Sequence, residues 1–353
     1  MAARAAELGF LLPGLPAGLL DAITDVPGVA VGQVSLHDDA PLERGAPPIH
    51  TGVTVLLPHP GDLFNDKLPA AVHTINGYGK AAGFEQVREM GTLETPIALT
   101  NTLCVGRAWD GLVSWMLARH PEIGTTGPSV NPLVGECNDS RLNDLRGRHV
   151  SAEHVLQALE QAQTGPVREG SVGAGSGMVC YGYKGGVGTA SRLAGAYTLG
   201  ALLVCNFGRR EQLIIRGQPV GKRLAKPAGS RPPSPGSVMI VLATDAPLSD
   251  RQLGRVARRA ALGLARTGST VGNGSGDFVI AFSTAQKIPQ RASGLLTLEQ
   301  LPEQAIDLLF QAAVEAVEAS VLNALVQAAP VRGTDGAIFP ALPVDEVVKL
   351  LEK

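Results

Sequence analysis

Pro232-Pro233-Ser234-Pro235-Gly236-Ser237-Val238-Met239-Ile240-Val241-Leu242-Ala243-Thr244 joins two kinds of chain with no transition between them. Upstream, from Gly217 through Lys222, Arg223, Lys226 and Arg231 to Pro235, a run rich in Pro, Gly and basic residues has the composition of an exposed linker. Downstream, the apolar run from Val238 to Leu242 reads as a buried strand. Ser237 stands on the seam, and two readings of it are open. In one it merely begins a strand. In the other the Gly236-Ser237 bond is cut, and Ser237 becomes a new N-terminus with a hydroxyl and an α-amine on one residue. Such an amine has an ordinary pKa of about 7.7 to 8.0 and can serve as general base for its own hydroxyl.

Composition bounds the rest. The chain has 353 residues, 44% of them hydrophobic, only 4% aromatic, with 43 glycines, which describes a protein packed with Ala, Val and Leu and excludes a disordered chain. A formal net charge of -2 offers no long-range attraction for nucleic acid or an anionic membrane. Cys104, Cys137, Cys180 and Cys205 lack CxxC spacing, which argues against a zinc ribbon or a redox pair, and they are expected to be buried thiols in a reducing compartment. No metal or cofactor is expected. The apolar run Leu8 to Leu12 is broken by Pro13 and is too short for a signal-peptide core, and no stretch approaches the roughly 20 apolar residues of a membrane span. A soluble, cytoplasmic protein is the expectation.

Polar residues at the ends of apolar runs supply the candidate chemistry. Pro132 to Asp139 delivers Glu136 among small neighbours, and a buried Glu136 needs a cation, either an arginine such as Arg141 or a substrate ammonium. Gly200 to Asn206 is a buried strand ending in an amide that can cap a turn or donate to an oxyanion. Gly268 to Asp277 is a generous small-residue loop that sets Ser275 and Asp277 two residues apart, on one side if extended. Thr100, Asn101 and Thr102 end another strand and could line a pocket. Asn76-Gly77-Tyr78-Gly79 reads as a turn. Gly173-Ala174-Gly175-Ser176-Gly177 has the wrong spacing for a dinucleotide loop and reads as close backbone packing. Helices are expected from about Arg107 to His120, after Ser151, after Ser249 to about Ala265, from Glu303 to Ala328 and from Val344 to Glu352.

Taken together, Ile23-Thr24-Asp25-Val26-Pro27-Gly28-Val29, Asn76-Gly77-Tyr78-Gly79, Gly173 to Gly177, the Gly236-Ser237 junction and Asn273-Gly274-Ser275-Gly276-Asp277 resemble the DmpA/BapA family of self-processing aminopeptidases. The resemblance runs over nearly the whole chain. It implies an α+β fold, a four-layer αββα sandwich like that of the N-terminal-nucleophile hydrolases but with different connectivity. It further implies one catalytic domain over 1–353, self-cleaved into an α chain, 1–236, and a β chain, 237–353. Carried over by position, Ser237 is the nucleophile, Ser275 and Asp277 orient its hydroxyl and amine, Asn206 stabilises the oxyanion, and Glu136 and Asn138 meet the substrate. Gly236 and Ser237 form the autocleavage junction. The partners implied are a small peptide or amino-acid amide substrate and further αβ units in a homo-oligomer, with no nucleic acid and no membrane. Some relatives carry Tyr at the Asn138 position and Glu at the Asp277 position. Two other readings compete: acyl transfer of the ornithine-acetyltransferase kind, which uses a threonine nucleophile, and an uncut binding protein.

Overall fold

A computed structural model describes residues 3–224 and 236–352. The Lys226 to Pro235 part of the basic run lies outside the described residues. In chain order the strands are Ala30–Asp38 (β1), Ile49–Leu57 (β2), Asp66–Gly77 (β3), Ala81–Ala82 (β4), Thr92–Leu93 (β5), Ile97–Asn101 (β6), Leu133–Cys137 (β7), Val179–Cys180 (β8), Tyr183–Lys184 (β9), Gly186–Ala194 (β10), Tyr197–Asn206 (β11), Ser237–Thr244 (β12), Gly276–Ser283 (β13) and Ile288–Pro289 (β14), followed by a hairpin of Val331–Arg332 (β15) and Ile338–Phe339 (β16). The helices are Phe84–Met90 (α1), Val105–Arg119 (α2), Ala152–Glu160 (α3), Val220–Arg223 (α4), Asp250–Arg266 (α5), Asp307–Val326 (α6) and Val344–Leu351 (α7).

Two sheets are stacked. One has five strands in the order β1-β2-β6-β7-β4, the other seven, in the order β10-β11-β12-β13-β3-β14 with β5 paired to β3. β12 is buried on both faces, and its side chains sort by the two-residue period of a strand. Val238, Ile240 and Leu242 join Leu253, Val256 and Ala257 of α5 and Ala312, Ala316 and Val317 of α6 in one core. Met239, Val241 and Ala243 face the other way and pack with Leu99 and Leu133 of the five-stranded sheet. A third core sets Val53, Val55, Ala98 and Val134 against Ala108 and Leu112 of α2 and Val155 and Ala158 of α3. Helices, sheet, sheet and helices therefore form four layers. Each large side chain among them contributes about 1.5 to 3 kcal/mol by leaving water.

Close approach of the layers depends on absent side chains. An added Cβ on Gly135 of β7 would lie 2.1 Å from Met239 Cε, and one on Gly188 of β10 would lie 1.9 Å from the Ser320 carbonyl of α6. The glycine-rich segment 173–177 has the packing role expected for it. A Cβ on Gly173 (φ +52) would meet Thr54 Oγ1 at 2.3 Å, and one on Gly177 would meet the His50 carbonyl at 2.2 Å.

Two of the longer strands had no clear sequence signal. β10, Gly-Val-Gly-Thr-Ala-Ser-Arg-Leu-Ala, looks polar because α6 covers it too closely for larger residues. Asn76 and Gly77, expected in a turn, are the last residues of β3. They pair beyond a bulge: Asp277 faces Asn76 and Phe278 faces Thr74, which leaves Ile75 unpaired. The single helix expected over 303–328 is a short 3-10 turn, Glu303–Ala305, followed by α6. Among the described residues no helix is long and apolar enough to cross a membrane.

Candidate active site

Each sheet contains one parallel pair joined by a helix, β6-α2-β7 and β12-α5-β13. The site forms where the start of one pair meets the end of the other. Ser237, 3% exposed, is the first residue of β12. It pairs with Asn206, the last residue of β11, on one side and with Gly276, the first residue of β13, on the other. The apolar stretches that bury β11, β12 and β13 thus place polar residues at one common edge.

Two N–H groups converge on the Ser237 hydroxyl. The Asn138 backbone N–H donates to Oγ at 3.2 Å and Asn206 Nδ2 at 3.3 Å. Asn206 is itself held at both ends: Nδ2 donates to the Asn138 carbonyl at 2.8 Å, and Oδ1 accepts the Val179 N–H at 3.0 Å. The Asn138 side chain is exposed and accepts the Ser140 N–H at 3.0 Å, so it is the Asn138 backbone that reaches Ser237. Cys137 lies alongside, where burial raises its thiol well above the ordinary range and keeps it protonated. The carbonyl of Gly236 accepts the Gly276 N–H at 3.2 Å.

Ser275 and Asp277 meet as their spacing suggests, with Ser275 Oγ donating to Asp277 Oδ1 at 2.7 Å. Asp277 is 2% exposed, and its Oδ2 has no hydrogen-bond partner. Burial pushes its carboxyl up to about 6, against the Ser275 hydroxyl and the Val238 N–H, which favour the charged form. Asp277 pairs with Val238 within β13, so it belongs to the strand and not to the preceding loop. Asn76 secures that loop, donating from Nδ2 to the Ser275 carbonyl and to the Asn273 carbonyl at 3.1 Å.

Glu136 comes from the opposite sheet. It is 3% exposed on β7; Oε1 accepts the Lys80 N–H at 3.0 Å, and Oε2 has no partner. The Lys80 ammonium stands 4.0 Å from Oε1, so the ion pair forms with Lys80. Burial raises the Glu136 carboxyl, with the Lys80 N–H and ammonium pulling against it. A Cβ on Gly79 would lie 3.0 Å from the Gly276 Cα and 3.2 Å from Glu136 Oε1, which places this carboxylate beside the strand that pairs with Ser237. Of the three polar residues ending β6, Thr100 bonds the Gly52 carbonyl at 3.1 Å and Asn101 bonds Thr51 Oγ1 at 2.7 Å, both inside the sheet. Thr102, the residue after β6, is buried, and its hydroxyl favours the charged form of the Glu136 carboxyl.

The structure brings Ser237, Asn206 and Asn138 into direct contact, joins Ser275 to Asp277 on the neighbouring strand, and sets Glu136 across from them. The sequence reading omitted Lys80, although it directly follows the Asn76 to Gly79 motif. It also omitted the Val179 N–H and the Asn138 N–H, because a backbone donor leaves no trace in residue type.

Residues 21–339 match peptidase family S58. The chain is 40% identical to the β-peptidyl aminopeptidase BapA of Sphingosinicella microcystinivorans, covering 99% of this chain and 92% of that one. Among solved structures it is similar to the PH0078 protein of Pyrococcus horikoshii OT3, with a TM-score of 0.93, 46% identity and 99% of each chain covered. It is similar also to the L-aminopeptidase D-Ala-esterase/amidase of Ochrobactrum anthropi, described as a prototype of the serine aminopeptidases and a variant of the Ntn hydrolase fold, with a TM-score of 0.91, 36% identity and 99% of each chain covered. Match, identities and coverage agree, and the chain belongs to peptidase family S58.

Proposed function

We propose that this peptidase is a self-processing aminopeptidase whose nucleophile is the N-terminal serine exposed by cutting before Ser237. The observation that carries the reading is the convergence of the Asn138 N–H and Asn206 Nδ2 on Ser237 Oγ at the first residue of a buried strand. In the uncut chain Ser237 Oγ attacks the Gly236 carbonyl carbon, whose oxygen already accepts the Gly276 N–H. The Oγ proton passes to the Ser237 nitrogen as the C–N bond breaks and the C–O ester forms, an N-to-O acyl shift that frees the amine. Water then hydrolyses the ester, releasing the Gly236 carboxylate and returning the hydroxyl. In the cut enzyme that amine takes the hydroxyl proton as Oγ attacks the carbonyl of a substrate's first residue. It returns the proton to the leaving group as the scissile bond breaks, after which water hydrolyses the acyl ester and restores the hydroxyl. The Ser275–Asp277 pair orients the amine, and the Asn138 and Asn206 donors receive the oxyanion. The substrate is a small peptide, amide or ester with a free amino group, the αβ units assemble into a homo-oligomer, and no cofactor takes part.

Glu136 gives the amine requirement its physical basis. A buried carboxylate with one free oxygen is costly unless a cation arrives, and a substrate ammonium is such a cation. Aminoacyl p-nitroanilides and their N-acetylated counterparts provide the test. The free-amine series is expected to be hydrolysed and the acetylated series refused. Glu136→Gln should lower kcat/KM on the free-amine series by roughly 10 to 100-fold, the value of a hydrogen bond to a charged group. Equal hydrolysis of both series would remove Glu136 from this role.

A further inference from the structure

Behind the two donors on Ser237 lies a buried polar cluster that takes no direct part in the reaction described above. Lys184 on β9 is 0% exposed. Its Nζ donates to the Gly175 carbonyl at 2.9 Å and to the Gly185 carbonyl at 2.8 Å. Lysine is almost never buried this completely without a strong reason. Across the β8–β9 hairpin Lys184 pairs with Val179, whose N–H holds Asn206 Oδ1. Asp139, 1% exposed, directly follows Asn138. Its carbonyl accepts the Leu142 and Asn143 N–H groups at 3.0 Å each, and its carboxylate accepts Asn143 Nδ2 at 3.1 Å while Oδ2 stays unpartnered. Each donor on Ser237 is therefore backed by one member of the cluster, Asn206 by the hairpin of Lys184 and the Asn138 N–H by the turn of Asp139. Burial lowers the Lys184 ammonium to about 7, while Cys180 and Asp139 favour its charged form. His37 and His50, whose Nδ1 atoms are 3.3 Å apart, border the cluster, and burial keeps both toward the neutral state.

We propose that Lys184 is a positioning residue for the reaction at Ser237: its ammonium group fastens the Gly175 and Gly185 carbonyls so that the hairpin holds the Asn206 amide. The proposal rests on Ser237 as the nucleophile. A misplacement of about 1 Å at such a donor can cost roughly 100-fold in rate. Lys184→Met keeps the length of the stem and removes both donors and the charge.

The experiment compares full-length parent, Lys184→Met, Lys184→Gln and Ser237→Ala on an aminoacyl p-nitroanilide. Lys184→Met is expected to lower kcat by roughly 100-fold with KM within about twofold of the parent, and to slow conversion into two fragments in similar proportion. Lys184→Gln, which keeps a donor, should fall between. The proposal is overturned by a folded Lys184→Met chain with kcat within about twofold of the parent, by a loss confined to KM, or by failure of both Lys184 variants to fold, which would assign the residue to the core alone. Turnover by Ser237→Ala would instead overturn the nucleophile and is read separately.

Discussion

The parallel pairs β6–β7 and β12–β13 are built alike, each joined by a helix and each buried between layers, yet they meet the site from opposite ends. β6–β7 arrives with its C-terminal ends and supplies Glu136, Thr102 and the Asn138 N–H. This is the usual placement of a binding crevice in α/β sheets. β12–β13 arrives with its N-terminal ends, where Ser237 pairs with Gly276 and Val238 with Asp277. A strand start can become an N-terminus while the rest of the strand keeps its partners. The proposed cut before Ser237 would free an amine at a residue that Asn206 and Gly276 flank in register on either side. One pair is thus suited to hold a substrate and the other to carry a nucleophile.

The contrast can be attacked first at the donor shared by the two sheets. Asn206→Ala should slow turnover roughly 100 to 1000-fold, the cost of one oxyanion donor, with the effect in kcat. Turnover near the parental rate would detach β11 from the chemistry.

A second attack uses pH. The Asp277 carboxyl, raised to about 6, is protonated below that value and ionised above it. The uncut chain has no α-amine at Ser237; with the ionised Ser275–Asp277 pair drawing the hydroxyl proton in its place, self-cleavage should fall roughly tenfold per unit as pH drops below about 6 and be level above it. The rate can be followed on the slowed Asn206→Ala precursor, and a profile level down to pH 4.5 would separate Asp277 from the reaction. Linkage gives the sign for stability. A carboxyl raised in the fold binds its proton more tightly there than when unfolded. Its contribution is fully present below the ordinary value of 3.8 and is lost as pH rises to about 6. Asp277→Asn should therefore melt higher than the parent at pH 7 while losing activity.

The smallest expected effect concerns how closely the pairs approach. Gly135→Ala sets a Cβ 2.1 Å from the end of Met239, a flexible side chain that can shift. A loss of about 1 to 3 kcal/mol is expected from overpacking, read as a lower melting temperature. An unchanged melting temperature would mean that the two sheets have slack at β7–β12.

Much of this architecture was legible in the residues. β11, β12 and β13 are apolar runs with abrupt polar ends, and those ends, Asn206, Ser237 and Asp277, are where the candidate chemistry collects. The stacking of two sheets came from the family resemblance, and the order of strands within them was not legible, since a buried strand reads alike in many folds. β10 escaped because small residues chosen for close packing look like loop residues, and the end of β3 because Asn76-Gly77 has the composition of a turn. Lys184 escaped for a related reason. Tyr183-Lys184-Gly185-Gly186 has the look of an exposed turn, and only the fold buries it against carbonyls.

The most direct test of the central claim is the intact mass of the purified parent beside Ser237→Ala. The account predicts two fragments in the parent, the second beginning at Ser237, and one full-length chain in the variant. A single uncut chain in both, or a cut before residue 237 in the variant lacking the hydroxyl, would contradict it.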